Sequence, residues 1–162
     1  MIDEVTTARL ILRPLTLAEA RAIAAGERQR SWAKGYPTGG DREIAAFLLA
    51  SAAYQPEILG VRQIVDRGSG LVVGGVGFYG GPDPDGRITI GYGIAEEFRG
   101  RGLTTEAIVA MVDLAADDGR VRCVVADTTV DNTASRRVLE KAGFALDRTE
   151  GARTFYQLFT VA

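Results

Sequence analysis

The sequence predicts an α/β protein with a mixed, mostly antiparallel sheet of about seven strands and helices on both faces. Three observations predict this fold class. Residues 60–66 and 71–79 read as two strands joined by a short glycine-containing turn, which indicates an antiparallel hairpin. Residues 87–128 read as strand, glycine-rich turn, helix and strand, which indicates a parallel crossover. Residues 144–150 and 153–161 read as two further strands that close the sheet.

Length and composition are those of one globular domain spanning residues 1–162. A chain of this length buries about 70% of the surface that its unfolded form exposes. Apolar residues make up 46% and charged residues 25% of the chain, and it has no apolar run of the length that crosses a bilayer. The first ten residues, MIDEVTTARL, carry acidic residues where a secretory signal carries basic ones. We therefore expect a cytoplasmic protein with no membrane partner.

Charge and residue counts argue against several kinds of function. Nineteen basic and 21 acidic side chains leave a net charge of -2, whereas a general nucleic-acid binder shows a basic surplus. Cys123 is the only cysteine and lies in an apolar run, so we interpret it as a core thiol and expect neither a disulfide nor a cysteine-based metal site. The chain has no histidine, so a general base must be a carboxylate, a tyrosine, the chain terminus or a water.

The chain opens with a strand and a short helix. Residues 7–15 alternate in polarity and read as a strand that ends at Pro14. Thr16 and Glu19 form a Thr-x-x-Glu capping box, which predicts the start of a helix that Gly26 ends.

Residues 27–40 have no clean period but contain the only tryptophan, Trp32, together with Tyr36. Two interpretations are open: these rings bind substrate at the rim of a site, or they cover the core beneath a flap. Asp41 follows as the predicted cap of a second helix. The apolar stripe of that helix consists of Ile44, Phe47, Leu48 and Ala52.

Residues 75–80, GVGFYG, match the Gly-x-Gly-x-x-Gly pattern of dinucleotide-binding turns. That function requires a helix directly after the motif, whereas residues 81–86, GPDPDG, form a wide turn into the next strand. We interpret the match as a glycine-tolerant strand and reject a nicotinamide site.

The strand at residues 87–94 has two different faces. Ile88, Ile90, Tyr92 and Ile94 share one face, and Thr89, Gly91 and Gly93 share the other. Because glycine weakens a strand interior, this second face predicts that something approaches the main chain closely.

Residues 99–104, RGRGLT, follow that strand and open a helix with the apolar period Leu103, Ala107, Met111 and Leu114. A helix start has four unpaired backbone donors and the positive end of the helix dipole, and glycines let a phosphate lie directly on them. With the charge of Arg99 and Arg101, the pattern predicts a binding site for the pyrophosphate of a nucleotide-like cofactor. The alternative is an ordinary strand-to-helix turn with solvated arginines.

Residues 121–128 then read as a strand that is apolar on both faces, as expected of a buried parallel strand. A helix from Thr133 to Ala142 places Ser135 and Leu139 on one stripe, so we expect Ser135 to point inward.

The turn at 99–104 and the stretch DNTASRRVLEKAGF at 131–144 together resemble the GNAT superfamily of acyl-CoA-dependent N-acetyltransferases, and specifically its RimJ/RimL-like branch. That family carries an Arg/Gln-x-x-Gly-x-Gly/Ala turn, which is matched here by Arg99, Gly102 and, imperfectly, Thr104. It also carries an Asn-x-x-Ser helix that ends in Gly-Phe, matched by Asn132, Ser135, Gly143 and Phe144.

The resemblance implies transfer of an acetyl group from acetyl-CoA to a primary amine, by direct attack in a ternary complex and with no metal. A backbone N–H near Ile94 would polarise the thioester carbonyl. Ser135 is the candidate acid for the departing thiolate, because Leu139 occupies the position where many members have a tyrosine. The predicted cofactor-binding residues are Tyr92, Gly93, Ile94, Arg99, Gly100, Arg101, Gly102, Leu103, Thr104, Asn132 and Ser135.

The sequence leaves the general base open among Glu96, Glu97, Asp127, Glu150 and a water chain, with Glu97 and Glu150 taken as the catalytic candidates beside Ser135. The acceptor is open too: a protein N-terminus or a small amine, bound by Trp32 and Tyr36 if the rim interpretation holds. A non-catalytic acyl-CoA sensor is the alternative function. We expect a monomer or a homodimer, since an exposed sheet edge can pair with a second copy.

Overall fold

A computed structural model describes residues 2–51 and 54–160. The strands are β1 (Val5–Thr6), β2 (Leu10–Pro14), β3 (Val61–Asp66), β4 (Val72–Tyr79), β5 (Arg87–Ile94), β6 (Cys123–Thr129), β7 (Ala145–Glu150) and β8 (Arg153–Phe159). The helices are α1 (Leu17–Ala24), α2 (Gly39–Leu49), α3 (Leu103–Ala116) and α4 (Thr133–Lys141), and a 3-10 turn spans Glu96–Phe98. Two predicted positions, Ala52 in the second helix and Val161 in the last strand, lie outside the described residues.

The described strands form one mixed sheet in the order β1-β2-β3-β4-β5-β6-β8-β7. Only β5 and β6 pair in parallel, and every other neighbouring pair is antiparallel. This confirms the predicted fold class. The sheet has eight strands rather than about seven, because the two-residue strand β1 is too short to show an alternating pattern in the sequence.

The sheet opens between β5 and β6. These strands pair only from Arg87 to Thr89, which oppose Cys123 to Val125, whereas β6 pairs with β8 along its whole length. The later part of β5, as far as Ile94, therefore has a partner on the β4 side only.

Backbone hydrogen bonding shows which groups face this opening. Ala95 N donates to Val73 O, so the opposed pair Ile94 and Gly74 is a non-hydrogen-bonded pair of the antiparallel ladder. In such a pair the main-chain groups point away from the partner strand. The N–H of Ile94, and by the same alternation that of Tyr92, therefore points away from β4 and into the opening.

Helices cover both faces of the sheet, as predicted. Tyr92 reaches Ser135 of α4, while the neighbouring position Gly93 faces Thr38 at the start of α2. Because adjacent strand residues point to opposite faces, α2 and α4 lie on opposite sides. The core includes Leu10, Leu12, Ile64, Val76, Ile108 and Met111, all nearly inaccessible to solvent. Cys123 is also buried, as expected of a core thiol.

The starts of the first two helices show one prediction confirmed and one wrong. Thr16 caps α1, and its side chain accepts a hydrogen bond from Glu19 N, as predicted. Asp41 does not cap α2. The cap is Thr38, and Asp41 lies at the third helical position of the capping box, because Gly39 and Gly40 are helical despite their low helix propensity.

Trp32 and Tyr36 lie in the core. Their side chains are only 4% and 1% exposed, and their rings pack edge to face with centroids 5.3 Å apart. Gln63 Nε2 donates to the Tyr36 hydroxyl at 3.1 Å. This corrects the interpretation in which the rings form a substrate rim: burial leaves no ring surface for an acceptor, and the rings cover the core instead. Within the described ranges, no helix is long and apolar enough to cross a membrane.

Candidate active site

The start of α3 presents unpaired backbone donors. The first amide of this region to donate a backbone hydrogen bond is that of Glu106, to Gly102 O, and no side chain caps the helix. The amides of Leu103, Thr104 and Thr105 therefore point out of the helix end without a backbone acceptor. Together with the helix dipole they form a positive concavity that suits an anion.

Glycine is required at two positions of this turn by the backbone itself. Gly100 and Gly102 both have φ +77°, a left-handed conformation that L side chains rarely adopt. The turn is also held from outside, because Arg9 Nη1 donates to Arg101 O at 2.7 Å and Arg9 Nε contacts Glu106 Oε1 at 2.8 Å.

Two adjoining cavities, of about 300 and about 330 Å³, lie where the turn meets α4 and the end of β5. They bring together every predicted cofactor-binding residue except Arg101. The first is lined by Tyr92, Gly93, Ile94, Arg99, Gly100, Thr104, Asn132, Ala134, Ser135 and Val138. The second adds Phe98, Gly102, Leu103, Thr105, Arg137 and Lys141.

The positive charge around these cavities differs from the prediction. Arg101 turns back onto the 3-10 turn, where it donates to Glu97 O and lies 4.9 Å from the centre of the Phe98 ring. Arg137 and Lys141, one turn apart on α4, line the second cavity instead. Sequence analysis missed them because it considered only the inward stripe of α4. Their spacing of four residues is the signal that places both on one face.

Ser135 and Tyr92 form the polar centre of the first cavity. The Tyr92 hydroxyl lies 2.7 Å from Ser135 Oγ, and Asn132 Oδ1 accepts a hydrogen bond from Ser135 N at 3.1 Å as the cap of α4. Burial raises the pKa of Tyr92 to about 12, although its hydrogen bond with Ser135 opposes that rise. The phenol is therefore neutral near pH 7. Sequence analysis assigned Tyr92 by its backbone and missed the role of its side chain.

The predicted base candidates lie away from Ser135. Glu97 accepts a hydrogen bond from Gly35 N, and bonds from the backbone amides of Glu97 itself and Gly35 hold the pKa of its carboxyl below the ordinary value. Glu150 pairs with Arg148 at 2.8 Å, and Asp127 pairs with Arg153. Neither these carboxylates nor that of Glu96 lines the cavity that contains Ser135.

A smaller cavity of about 40 Å³ lies on the other face of β5, beneath the start of α2. It shares Tyr92 and Gly93 with the cavity of Ser135, so the two spaces meet at the end of β5. Its polar side chains are Thr38, Asp41 and Tyr79, and its floor consists of Gly75, Gly77, Gly91 and Gly93. Sequence analysis noticed the bare face of β5 but not the side chains above it.

A mixed sheet that opens beside an uncapped, glycine-preceded helix start is the architecture of an acyl-CoA-dependent transferase. A family model described as the acetyltransferase (GNAT) domain matches residues 9–145, and the chain belongs to this acetyltransferase family.

Known proteins agree with this assignment. An N-acetyltransferase of Bacillus subtilis (strain 168), YjdG, described as uncharacterized, is 31% identical over 150 residues, which cover 87% of this chain and 89% of the relative. An acetyltransferase structure from Agrobacterium tumefaciens str. C58 is 25% identical, with a TM-score of 0.68 over 98% of this chain and 95% of the other. RimL, the ribosomal L7/L12 alpha-N-protein acetyltransferase solved with coenzyme A, shares the fold at 20% identity, with a TM-score of 0.69 over 97% and 98% of the two chains. The protein is thus an acetyltransferase, with RimL among its structural neighbours.

Proposed function

We propose that this acetyltransferase moves an acetyl group from acetyl-CoA to a primary amine, by direct attack in a ternary complex. One observation carries the proposal: the unpaired amides at the start of α3, the Ile94 N–H and the Ser135 hydroxyl border one continuous opening beside β5. An acyl-CoA needs these three kinds of group, for its phosphates, its thioester carbonyl and its sulfur.

The phosphates of the donor would lie on the amides of residues 102–105, between Arg99 on one side and Arg137 and Lys141 on the other. Charge-assisted hydrogen bonds from arginine and lysine to phosphate are about twice as strong as neutral ones. In this proposal Arg101 shapes the turn through Glu97 and Phe98 and does not contact the donor directly.

The thioester would follow β5 toward Ile94. The N–H of Ile94 has no partner strand on its side of the sheet, so it is free to bind the oxygen on which negative charge develops. The amides of Tyr92 and Ile94 would also bind the amide groups of the pantetheine arm, in the manner of an added strand.

Ser135 would give its proton to the departing thiolate. Its oxygen is within hydrogen-bond distance of the neutral Tyr92 phenol, which would return a proton to it. This pair would take the place of the tyrosine that many family members have where this chain has Leu139, a side chain that is fully buried here.

The acceptor is a primary amine in this proposal, either a protein N-terminus or a small molecule. RimL is described as an alpha-N-protein acetyltransferase, whereas another structural neighbour, MccE, is described as a microcin C7 self immunity acetyltransferase bound to acetyl-CoA and AMP. Both kinds of acceptor therefore occur among proteins of this fold.

Thiol release from acetyl-CoA, measured with a panel of small amines and peptides, tests the proposal. Amine-dependent release of coenzyme A together with a mass increase of one acetyl group in the acceptor is the expected result. Tight binding of coenzyme A with no release for any amine or peptide would support the alternative, a non-catalytic acyl-CoA sensor.

A further inference from the structure

The small cavity beneath α2 contains a carboxylate that neither the cofactor site nor the fold fully uses. We infer that Asp41 binds the ammonium group of the acceptor through Oδ1 and takes its proton before attack. The inference deepens the proposed function and rests on it.

Helix capping accounts for only one oxygen of Asp41. Oδ2 accepts hydrogen bonds from Thr38 N and Thr38 Oγ1, both at 2.8 Å, and these complete the capping box. For Oδ1, none of the described residues supplies a hydrogen-bond donor, and this oxygen lies directly against Gly75 in the wall of the cavity. A carboxylate oxygen that faces a cavity without a donor suits a ligand that brings its own N–H groups.

The glycine floor keeps this space open. A Cβ atom at Gly75 would collide with Asp41 Oδ1, and one at Gly91 would collide with the Tyr79 hydroxyl. The predicted close approach to the bare face of β5 is therefore made at Gly91 by the chain itself. Since Gly75 is the register partner of Gly93, the carboxylate lies above the segment of β5 that precedes Ile94.

The two cavities place donor and acceptor on opposite sides of one strand end. Tyr92 and Gly93 belong to both, so an amine held by Asp41 and a thioester held beside Ser135 approach each other past the end of β5. Direct attack needs this juxtaposition, in which the nitrogen reaches the carbonyl carbon from the side opposite the cofactor.

The charged and titratable groups around Asp41 suit a base. Burial raises the pKa of its carboxyl above the ordinary value, although the hydrogen bonds from Thr38 and the charge of Arg42 oppose the rise. Tyr36 and Tyr79 face it as neutral phenols, because burial and the charge of Asp41 raise the pKa of each. A base is most effective when its pKa approaches the working pH.

The size of the cavity limits the acceptor. Its volume of about 40 Å³ is close to that of one water molecule, roughly 30 Å³ in the liquid. An ammonium group and the carbon that carries it fit there, but a second substituent on the nitrogen does not. The substrate class is therefore primary amines with an unhindered amine-bearing carbon.

The reaction balances with one proton released to water. Asp41 takes one proton from the ammonium group, and the nitrogen lone pair then forms the N–C bond to the thioester carbonyl. The C–S bond breaks with its electron pair on sulfur, which takes the proton of Ser135. The nitrogen gives its second proton to Ser135 through Tyr92, and Asp41 passes its proton to water after the products leave.

The test compares Asp41→Asn with Glu43→Gln, an exposed carboxylate on the same helix outside the cavity. For each protein we would measure coenzyme A affinity by calorimetry and methylamine and ethylamine binding to the coenzyme A complex. We would also measure kcat/KM against pH for the best acceptor amine. Asp41→Asn should keep coenzyme A affinity, lose amine binding, and lower kcat/KM by about 100-fold or more with loss of the acidic limb of the profile. Glu43→Gln should match the parent protein.

Thr38→Ala separates the structural role of Asp41 from the chemical one. It removes the capping hydrogen bonds and should lower stability, yet it should keep the acidic limb because the carboxylate remains. An Asp41→Asn protein that retains both amine binding and the acidic limb would overturn the inference and leave the proposed function standing. If the parent protein released thiol with no amine, the proposed function would fail, and equal amine binding by the parent and Asp41→Asn would overturn the inference as well.

Discussion

The Tyr92 hydroxyl lies 2.7 Å from Ser135 Oγ and joins the end of β5 to the first turn of α4 across the opening of the sheet. Tyr92 is on a strand that pairs with β4, and Ser135 is on a helix whose start is fixed by Asn132. Two rigid elements thus hold the proton donor of the proposed reaction, and a rotation of either side chain breaks the contact. The following predictions begin with this pair.

Ser135→Ala should keep coenzyme A affinity and slow turnover by about 10- to 1000-fold, the range typical of general acid catalysis. The hydroxyl contributes little binding area, so calorimetry should show an almost unchanged affinity. Tyr92→Phe should slow turnover less, and the double variant should be no slower than Ser135→Ala, because the two hydroxyls act as one unit. Additive losses would show that Tyr92 acts independently, and unchanged turnover in Ser135→Ala would remove Ser135 from the mechanism.

Gly102→Ala should weaken coenzyme A binding by 10-fold or more on the order-of-magnitude scale of a displaced helix end. A side chain at φ +77° strains the turn and moves the amides that bind the phosphates. Gly26→Ala is the matched control, since Gly26 has φ +73° and open space around it but lies at the end of α1. Both variants should lose similar stability in urea, and only Gly102→Ala should lose binding. Equal binding losses would place the phosphates elsewhere.

Arg137→Gln and Lys141→Gln should each weaken coenzyme A binding by about 10-fold, the scale of one lost charge-assisted contact. Each should also reduce the salt dependence of binding, because exposed charges are screened. Arg21→Gln, on an exposed position of α1, is the control and should change neither quantity. If affinity in the α4 variants equals that of the parent at low salt, the phosphates do not lie along α4.

Glu106→Gln should lower the free energy of unfolding by about 1–2 kcal/mol at neutral pH. Burial alone would raise the pKa of the Glu106 carboxyl, but hydrogen bonds from Thr7 and Arg9 outweigh it and lower the pKa below the ordinary 4.5. Because the folded pKa is the lower one, this stabilisation is present above about pH 4.5 and disappears as the pH falls through the folded value. Urea unfolding at several pH values should show a difference between parent and variant at pH 7 that vanishes in acid. A constant difference would contradict the assignment.

The sequence predicts most of this fold because its strands and helices carry clear periods and turn residues. The hairpin of β3 and β4, the crossover through α3, and the inward direction of Ser135 follow from alternation and from the Asn-x-x-Ser pattern. Glycines were harder to interpret. Gly39 and Gly40 read as a loop but begin α2, because the reciprocal hydrogen bonds of Thr38 and Asp41 outweigh glycine's low helix propensity.

The remaining parts of the site depend on contacts between segments distant in the chain. Asp41 and Gly75 meet only because α2 lies across β4, and no spacing in the sequence reports that contact. Trp32 and Tyr36 sit in a loop without a period, so their burial depends on tertiary packing against the sheet. The direction of Arg101 likewise depends on Phe98 and on the carbonyl of Glu97.

Arg9 reaches from the chain before β2 to the carbonyl of Arg101 and to Glu106, so the edge of the sheet and the cofactor turn are mechanically connected. Filling the turn with coenzyme A should therefore slow amide hydrogen exchange in β1 and β2, far along the chain from any ligand contact. A tag or truncation that disturbs these first strands should, conversely, loosen the grip on the cofactor without touching it.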